Sequence, residues 1–335
     1  MMGIRRVGTV CLAILMSVSL AAQQAPAKKD EKKRSKQELA ELEQIIKLVD
    51  GVMAGQPAPT DVQLSLEPYF LKSVEPRSFV PFVLTVVSPP AADAALFVRV
   101  VNPASQPDPK AKKVEYPWED TGFVSAAQLA GGKLNRAFMA TAGTYDVYVA
   151  VRERLPEKAP KTQVPKMGVL KATVVVPDFF NAELNTSSIL VTDKVIVLNA
   201  PITPEEARER PFVLGLQELV PASDADFKKS EELAVFFQVY NPGLDAAGKP
   251  NLSMEYEFHR KDGDAEKFFN KTSPQLVNAS NLPPQFDPVK YQIPGGIAIP
   301  LASFPEGDYR LAIKVTDKAS GKSLTRDVRF TVKAS

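Results

Sequence analysis

From Gln56 to the C-terminus, apolar side chains recur at every second residue, in short runs cut by Pro, Gly, Asn and Asp. In Asp308–Thr316, Tyr309, Leu311, Ile313 and Val315 fall on one side, while Arg310, Lys314 and Thr316 fall on the other. A period of two places alternate residues on opposite faces of a strand. One apolar and one wet face implies antiparallel sheets rather than a parallel sheet buried on both sides. The same signature predicts strands over 62–69, 79–87, 94–101, 136–141, 144–152 and 167–176. A second set is predicted over 190–198, 212–220, 233–240, 252–259, 296–301, 308–316 and 324–332. The 29 prolines among 335 residues suit β-rich domains with ordered loops better than helix bundles.

The alternation repeats over long range. Residues 131–151 align without gaps to 295–315, an offset of 164. Gly131-Gly132 matches Gly295-Gly296, Gly143 matches Gly307, Tyr145 matches Tyr309 and Val151 matches Val315. Each copy is followed, after a polar loop, by one more strand. The repeat predicts two tandem domains, 56–177 and 178–335.

Only one helix is announced. Ser35 and Glu38 fit a capping box. Leu39, Leu42, Ile46, Val49 and Met53 follow at spacings of three and four, and Gly51 and Gly55 mark the end. Glu43 and Lys47 stand one turn apart, where they can pair. The stripe either packs on the following domain or serves as an oligomerisation or partner-docking face. Residues 22–55 therefore divide into a charged spacer and an amphipathic helix.

The first 21 residues have the pattern of a secretory signal peptide: Arg5 and Arg6, an apolar run from Val7 to Val18, then Ser19-Leu20-Ala21. Removing Arg5 and Arg6 from the 41 basic residues leaves 39 against 39 acidic ones, and the single Cys, Cys11, leaves with them. No later stretch has the length of about 20 apolar residues that a spanning helix needs. The expectation is a periplasmic or secreted protein without a transmembrane span.

Composition narrows the chemistry. One Cys and one His cannot build a Cys/His zinc site. The balanced charge gives no footprint for nucleic acid. No Gly-rich phosphate loop and no Gly-x-Ser-x-Gly elbow occurs. His259 closes an alternating strand. Asp262-Gly263-Asp264-Ala265-Glu266 and Asp224-Ala225-Asp226 read as turns before they read as calcium ligands. No catalytic, cofactor-binding or metal-binding residues are assigned, and no cofactor is expected. Asn185, Asn251, Asn270 and Asn278 open N-x-S/T sequons. Tyr116, Trp118 and Glu119 form the most suggestive partner or ligand surface, since exposed aromatics anchor protein partners and stack on sugars.

Gly143-Thr144-Tyr145 and Gly307-Asp308-Tyr309 set Tyr145 and Tyr309 at the start of a late strand. Immunoglobulin-like sandwiches place a tyrosine corner there. The stretch Phe304 to Asp317, with Gly321 in the following turn, resembles the closing hairpin of exported bacterial Ig-like and fibronectin-III-like modules, including those that accompany GWxTD-domain proteins. The GWxTD motif itself is absent from this sequence. The resemblance implies a mainly β fold of two tandem Ig-like antiparallel β-sandwich domains behind a signal peptide and a short amphipathic helix. The functional expectation is a non-catalytic binding or scaffold protein for an exported or envelope partner. The alternatives are a carbohydrate-binding accessory module and a carboxylate-based hydrolase.

Overall fold

The computed structural model describes residues 34–73, 76–105, 114–160, 162–287 and 291–335. The expected signal peptide and most of the charged spacer lie outside them. The described chain is mainly β and forms four sheets. It divides into two compact units. One takes the described residues up to Asp178 together with Thr203–Pro211; the other takes Phe179–Ile202 together with Phe212–Ser335.

The first unit opens with helix α1 (Lys36–Met53). Its strands are β1 (Leu64–Pro68), β2 (Leu71–Lys72), β3 (Ser78–Val86), β4 (Ala94–Val101), β5 (Trp118–Val124), β6 (Lys133–Ala140), β7 (Gly143–Glu153) and β8 (Met167–Val176). Two short helices complete it: α2 (Ala126–Ala130) and α3 (Pro204–Glu209). One sheet pairs β1, β2 and β6 with β3; the other runs β5-β4-β7-β8. Phe82 and Leu84 of β3, Phe138 of β6, Val98 of β4 and Val149 of β7 share one core between the two sheets.

The second unit contains β9 (Asn185–Thr186), β10 (Leu190–Val197), β11 (Val213–Leu214), β12 (Gln217–Pro221), β13 (Asp226–Lys228), β14 (Glu232–Tyr240), β15 (Leu252–Asp262), β16 (Ala265–Lys271), β17 (Gln275–Val277), β18 (Ile293–Pro300), β19 (Gly307–Asp317) and β20 (Ser323–Lys333). One sheet runs β11-β12-β10-β14-β18 and the other β13-β20-β19-β15-β16. Their common core holds Phe237, Met254, Tyr256, Phe258, Leu311, Ile313 and Phe330.

The order β5-β4-β7-β8 recurs as β16-β15-β19-β20. Strands β7 and β19 span 143–153 and 307–317, so the offset of 164 holds to the residue. Both begin at a glycine with positive φ, +150° at Gly143 and +141° at Gly307, which glycine adopts without a steric penalty.

The structure corrects several expectations. The Gly pairs are not equivalent: Gly131 and Gly132 follow helix α2, whereas Gly295 and Gly296 lie inside β18. The stretch 212–220 is two strands, broken at Gly215, whose φ of +64° turns the chain between β11 and β12. One pair is parallel, β13 beside β20. Strand β5 carries charge on both faces, Glu119 outward and Asp120 inward against Arg136, and the edge strand β16 is exposed along most of its length, so neither shows an apolar alternation.

Candidate functional site

Helix α1 is built as its sequence predicts at its start. Ser35 Oγ accepts from the Glu38 amide, and the Ser35 amide donates to Glu38 at 2.8 Å. Lys47 reaches Glu43 at 2.6 Å. The buried stripe keeps most of the one the spacing suggested, with Ile45 added and Leu39 left out. Leu42, Ile45 and Val49 are buried, whereas Leu39 is 54% exposed. Ile46 and Met53 are half-buried beside the stripe. It packs on Ala95 and Phe97 of β4, Tyr148 and Ala150 of β7 and Val169 of β8. The face read as a candidate oligomerisation surface is therefore covered by the protein's own sheet. Covering both faces of β4 explains its apolar composition, interrupted only at Arg99, which is that of a strand buried on two sides.

The repeat shows how specific that face is. At the offset of 164, Tyr148 and Ala150 correspond to Ala312 and Lys314 of β19. By pairing, Ala95, Phe97 and Arg99 correspond to Ser253, Glu255 and Glu257 of β15. The inward positions stay apolar in both units. The outward ones are apolar only beneath α1; over β15 and β19 they include Glu255, Glu257 and Lys314.

Arg99 anchors the helix. It projects from β4, is 4% exposed, and donates to Asp50 of α1 and, at 2.7 Å, to Glu119 of β5. Its guanidinium lies 4.0 Å from the centre of the Tyr116 ring, a cation–π contact. Burial opposes the charge of Arg99, but hydrogen bonds from Asp50 and Glu119 overcome it and hold the guanidinium above its ordinary pKa. Arg154 repeats the arrangement, with Glu41 at 2.7 Å, Glu38 at 3.8 Å and the Phe123 ring at 4.1 Å.

Two of the three surface candidates thus belong to this internal cluster: Tyr116 covers Arg99, and Glu119 neutralises it. The third, Trp118, begins β5 and joins the core, 6.0 Å from Phe138. Tyr116 and Trp118 are each partly exposed, so these contacts engage part of each residue. Sequence reasoning missed Ile45, Arg99 and Arg154. Ile45 was discoverable, because Leu42 and Val49 fit a stripe through Ile45 as well as one through Ile46.

Both predicted corner tyrosines bond back to a backbone carbonyl four residues upstream. Tyr145 donates to the carbonyl of Thr141 at 3.1 Å, and Tyr309 donates to that of Pro305 at 2.6 Å. The acidic turns divide among separate cations. Asp262 pairs with Lys267, Glu266 with Arg310 and Arg329, and Asp226 with Lys333. Among the described residues no group of three potential ligands converges on a metal position. His259 lies on the outer face of its sheet, its Nε2 3.8 Å from Glu257, against the edge of Phe268.

The remaining apolar exposure has a local maximum on the second unit. Val197, at the end of β10, is 73% exposed, with Ile196 and Leu216 beside it. The Leu198 amide donates to the Leu216 carbonyl, which ties the end of β10 to the start of β12. No described helix is long and apolar enough to cross a membrane.

No protein-family model matches this chain, and no curated protein matches it. Solved structures similar to it include Salmonella alpha-2-macroglobulin reacted with methylamine, at 12% identity over 83% of this chain and 17% of that one, with a TM-score of 0.21. The native conformation of E. coli alpha-2-macroglobulin is similar at 12% identity, over 83% of this chain and 16% of that one, with a TM-score of 0.20. The chain spans about a sixth of the length of these structures.

Proposed function

We propose that this chain is an exported, non-catalytic binding or scaffold protein built from two Ig-like sandwiches, and that it presents the end of the paired strands β10 and β12 to a protein partner. The observation that carries the binding reading is the exposure of Ile196 and Leu216 on one face of the β10–β12 strand pair, with Val197 exposed on the other face at the same end. Contiguous apolar exposure is costly in water and is typical of interaction sites, whereas apolar residues exposed singly are ordinary. Both tyrosine corners support the Ig-like reading. The export reading rests on the N-terminal pattern of Arg5, Arg6 and the apolar run after them.

The test is recovery of a partner from envelope extracts by the wild-type chain and by a Val197→Asp/Leu216→Asp variant. The reading expects one recurring partner that the variant loses. Equal recovery by both proteins would move the interface elsewhere. A cleavage assay on the intact protein after export would show whether the chain begins near Ala22; an uncleaved chain would sink the signal-peptide assignment.

A further inference from the structure

Residues Thr203–Pro211 follow β10 and precede β11 in sequence, yet they belong to the first unit. They form the six-residue helix α3, capped by Thr203 and Glu206, and none of its side chains is buried. Its attachment is polar. Arg208 donates to Asp120 at 2.6 and 3.3 Å and to the Thr121 carbonyl at 3.2 Å. Glu209 accepts from Gln128 at 3.1 Å and stands 3.6 Å from Arg136. Gly122 leaves the room that the guanidinium occupies: a Cβ there would lie 2.9 Å from Arg208 Nη2.

Asp120 has a second cation. Arg136, 3% exposed on β6, lies 3.4 Å away through its Nε, and that nitrogen makes no hydrogen bond. Burial lowers the pKa of Arg136, and the neighbouring Arg208 charge lowers it further, while Asp120 and Glu209 oppose both. When α3 leaves, Arg136 keeps Asp120. Undocking therefore does not strand a buried unpaired charge, which would otherwise be a strongly destabilising event.

We propose that Thr203–Pro211 is a reversible electrostatic strap, docked on the flank formed by β5 and β6 and released when its ion pairs are screened or removed. Helix α3 itself buries no side chain and gains little from the hydrophobic effect; the buried residue of the segment is Pro211, at its hinge to β11. Its partly exposed pairs with Asp120, Arg136 and Gln128 are the kind that salt weakens. Docking also shields an edge. Strand β5 is the terminal strand of its sheet, and Arg208 occupies the Thr121 carbonyl; an uncovered edge invites strand pairing with another chain.

Amide hydrogen exchange on the full chain tests this, at low salt and at about 0.5 M sodium chloride, where the screening length falls to about 4 Å. The reporters are the amides of Ala207 and Arg210, bonded to Thr203 and Glu206. Exchange there should accelerate about tenfold at high salt, and equally at low salt in Arg208→Ala, while amides of β7 keep their protection. Glu205→Gln, at an exposed position away from the contact, should leave the low-salt rate unchanged. The proposal is overturned if the strap amides stay as protected in Arg208→Ala as in the wild type, or if strap and β7 lose protection together.

Discussion

Tyr309 donates its hydroxyl to the carbonyl of Pro305, and Tyr145, 164 residues earlier, donates to Thr141 in the same relation. Each bond spans four residues and ties the start of a central strand to the loop before it. Burial also raises the pKa of the Tyr309 hydroxyl, which keeps it protonated as the donor. Replacing either tyrosine with Phe removes the bond and leaves the carbonyl without it. Each substitution should cost about 1 kcal/mol, read as a lower urea midpoint. Tyr291→Phe, at a ring that is 37% exposed, should shift it by less than about 0.5 kcal/mol. Equal effects at all three positions would contradict the corner assignment.

Helix α1 offers a sharper discrimination, because the spacing admits two stripes and the structure selects one. Ile45 is fully buried against the sheet, and Leu39 is largely exposed. Ile45→Ala should cost about 2–5 kcal/mol, whereas Leu39→Ala should cost less than about 0.5 kcal/mol. Asp50→Ala should cost about 2 kcal/mol, since it withdraws a charged hydrogen bond from the buried Arg99. Thermal unfolding of the three variants ranks them. A Leu39 variant as damaged as the Ile45 variant would mean that the helix docks through its other stripe.

What the sequence made legible follows from where each residue's partners lie. Ala94–Val101 and Met167–Val176 were predicted with their observed bounds, because a strand's own alternation or apolar run is local information. The capping box of Ser35 and Glu38 is local too. Strand β5 was not legible: Glu119 serves Arg99 and Asp120 serves Arg136 and Arg208, so positions that would otherwise be neutral carry charge. Arg99 itself reads as an ordinary wet-face residue until Asp50 and Glu119, 49 and 20 residues away, are brought to it. For the same reason the contacts of Tyr116 and Glu119 with Arg99, and of Trp118 with Phe138, could not be read from the sequence, although all three residues keep some exposure. Strap Thr203–Pro211 was illegible because nothing in nine residues of sequence states which unit they will join.

Acid should act first at two helix starts. Glu38 accepts the Ser35 amide and Glu206 accepts the Thr203 amide, and these backbone bonds hold both carboxyls below the ordinary carboxylate range. A carboxyl depressed in the folded state contributes stability that is complete above its unfolded pKa. That contribution is lost as pH falls through the folded pKa. Exchange of the Leu39 and Ala207 amides, bonded to Ser35 and Thr203, should therefore quicken in acid relative to the amides of β7. The comparison is made after correcting for intrinsic exchange rates. Glu38→Gln should remove the pH dependence at Leu39 and leave it at Ala207. A pH response unchanged by that substitution would assign the titration to another group.

Glycines drawn from the two aligned Gly pairs should respond differently. Gly131 caps α2 with an ordinary right-handed φ of −71°, and a Cβ there would meet its nearest atom at a comfortable 3.7 Å. Gly296 lies in β18 against β14, where a Cβ would come within 2.4 Å of the Val235 carbonyl oxygen, a backbone atom that cannot rotate away. Gly131→Ala should be neutral or should stabilise by about 0.5 kcal/mol, through a smaller unfolded-state entropy. Gly296→Ala should destabilise by about 1–3 kcal/mol, because the β14–β18 pair must shift to admit a methyl group. Hydrogen exchange at Phe236 and Phe237, beside Gly296 and Gly295 in the ladder, localises the damage. If Gly296→Ala is as well tolerated as Gly131→Ala, the close approach of β18 to β14 is wrong, and the two Gly pairs regain the equivalence that their alignment suggested.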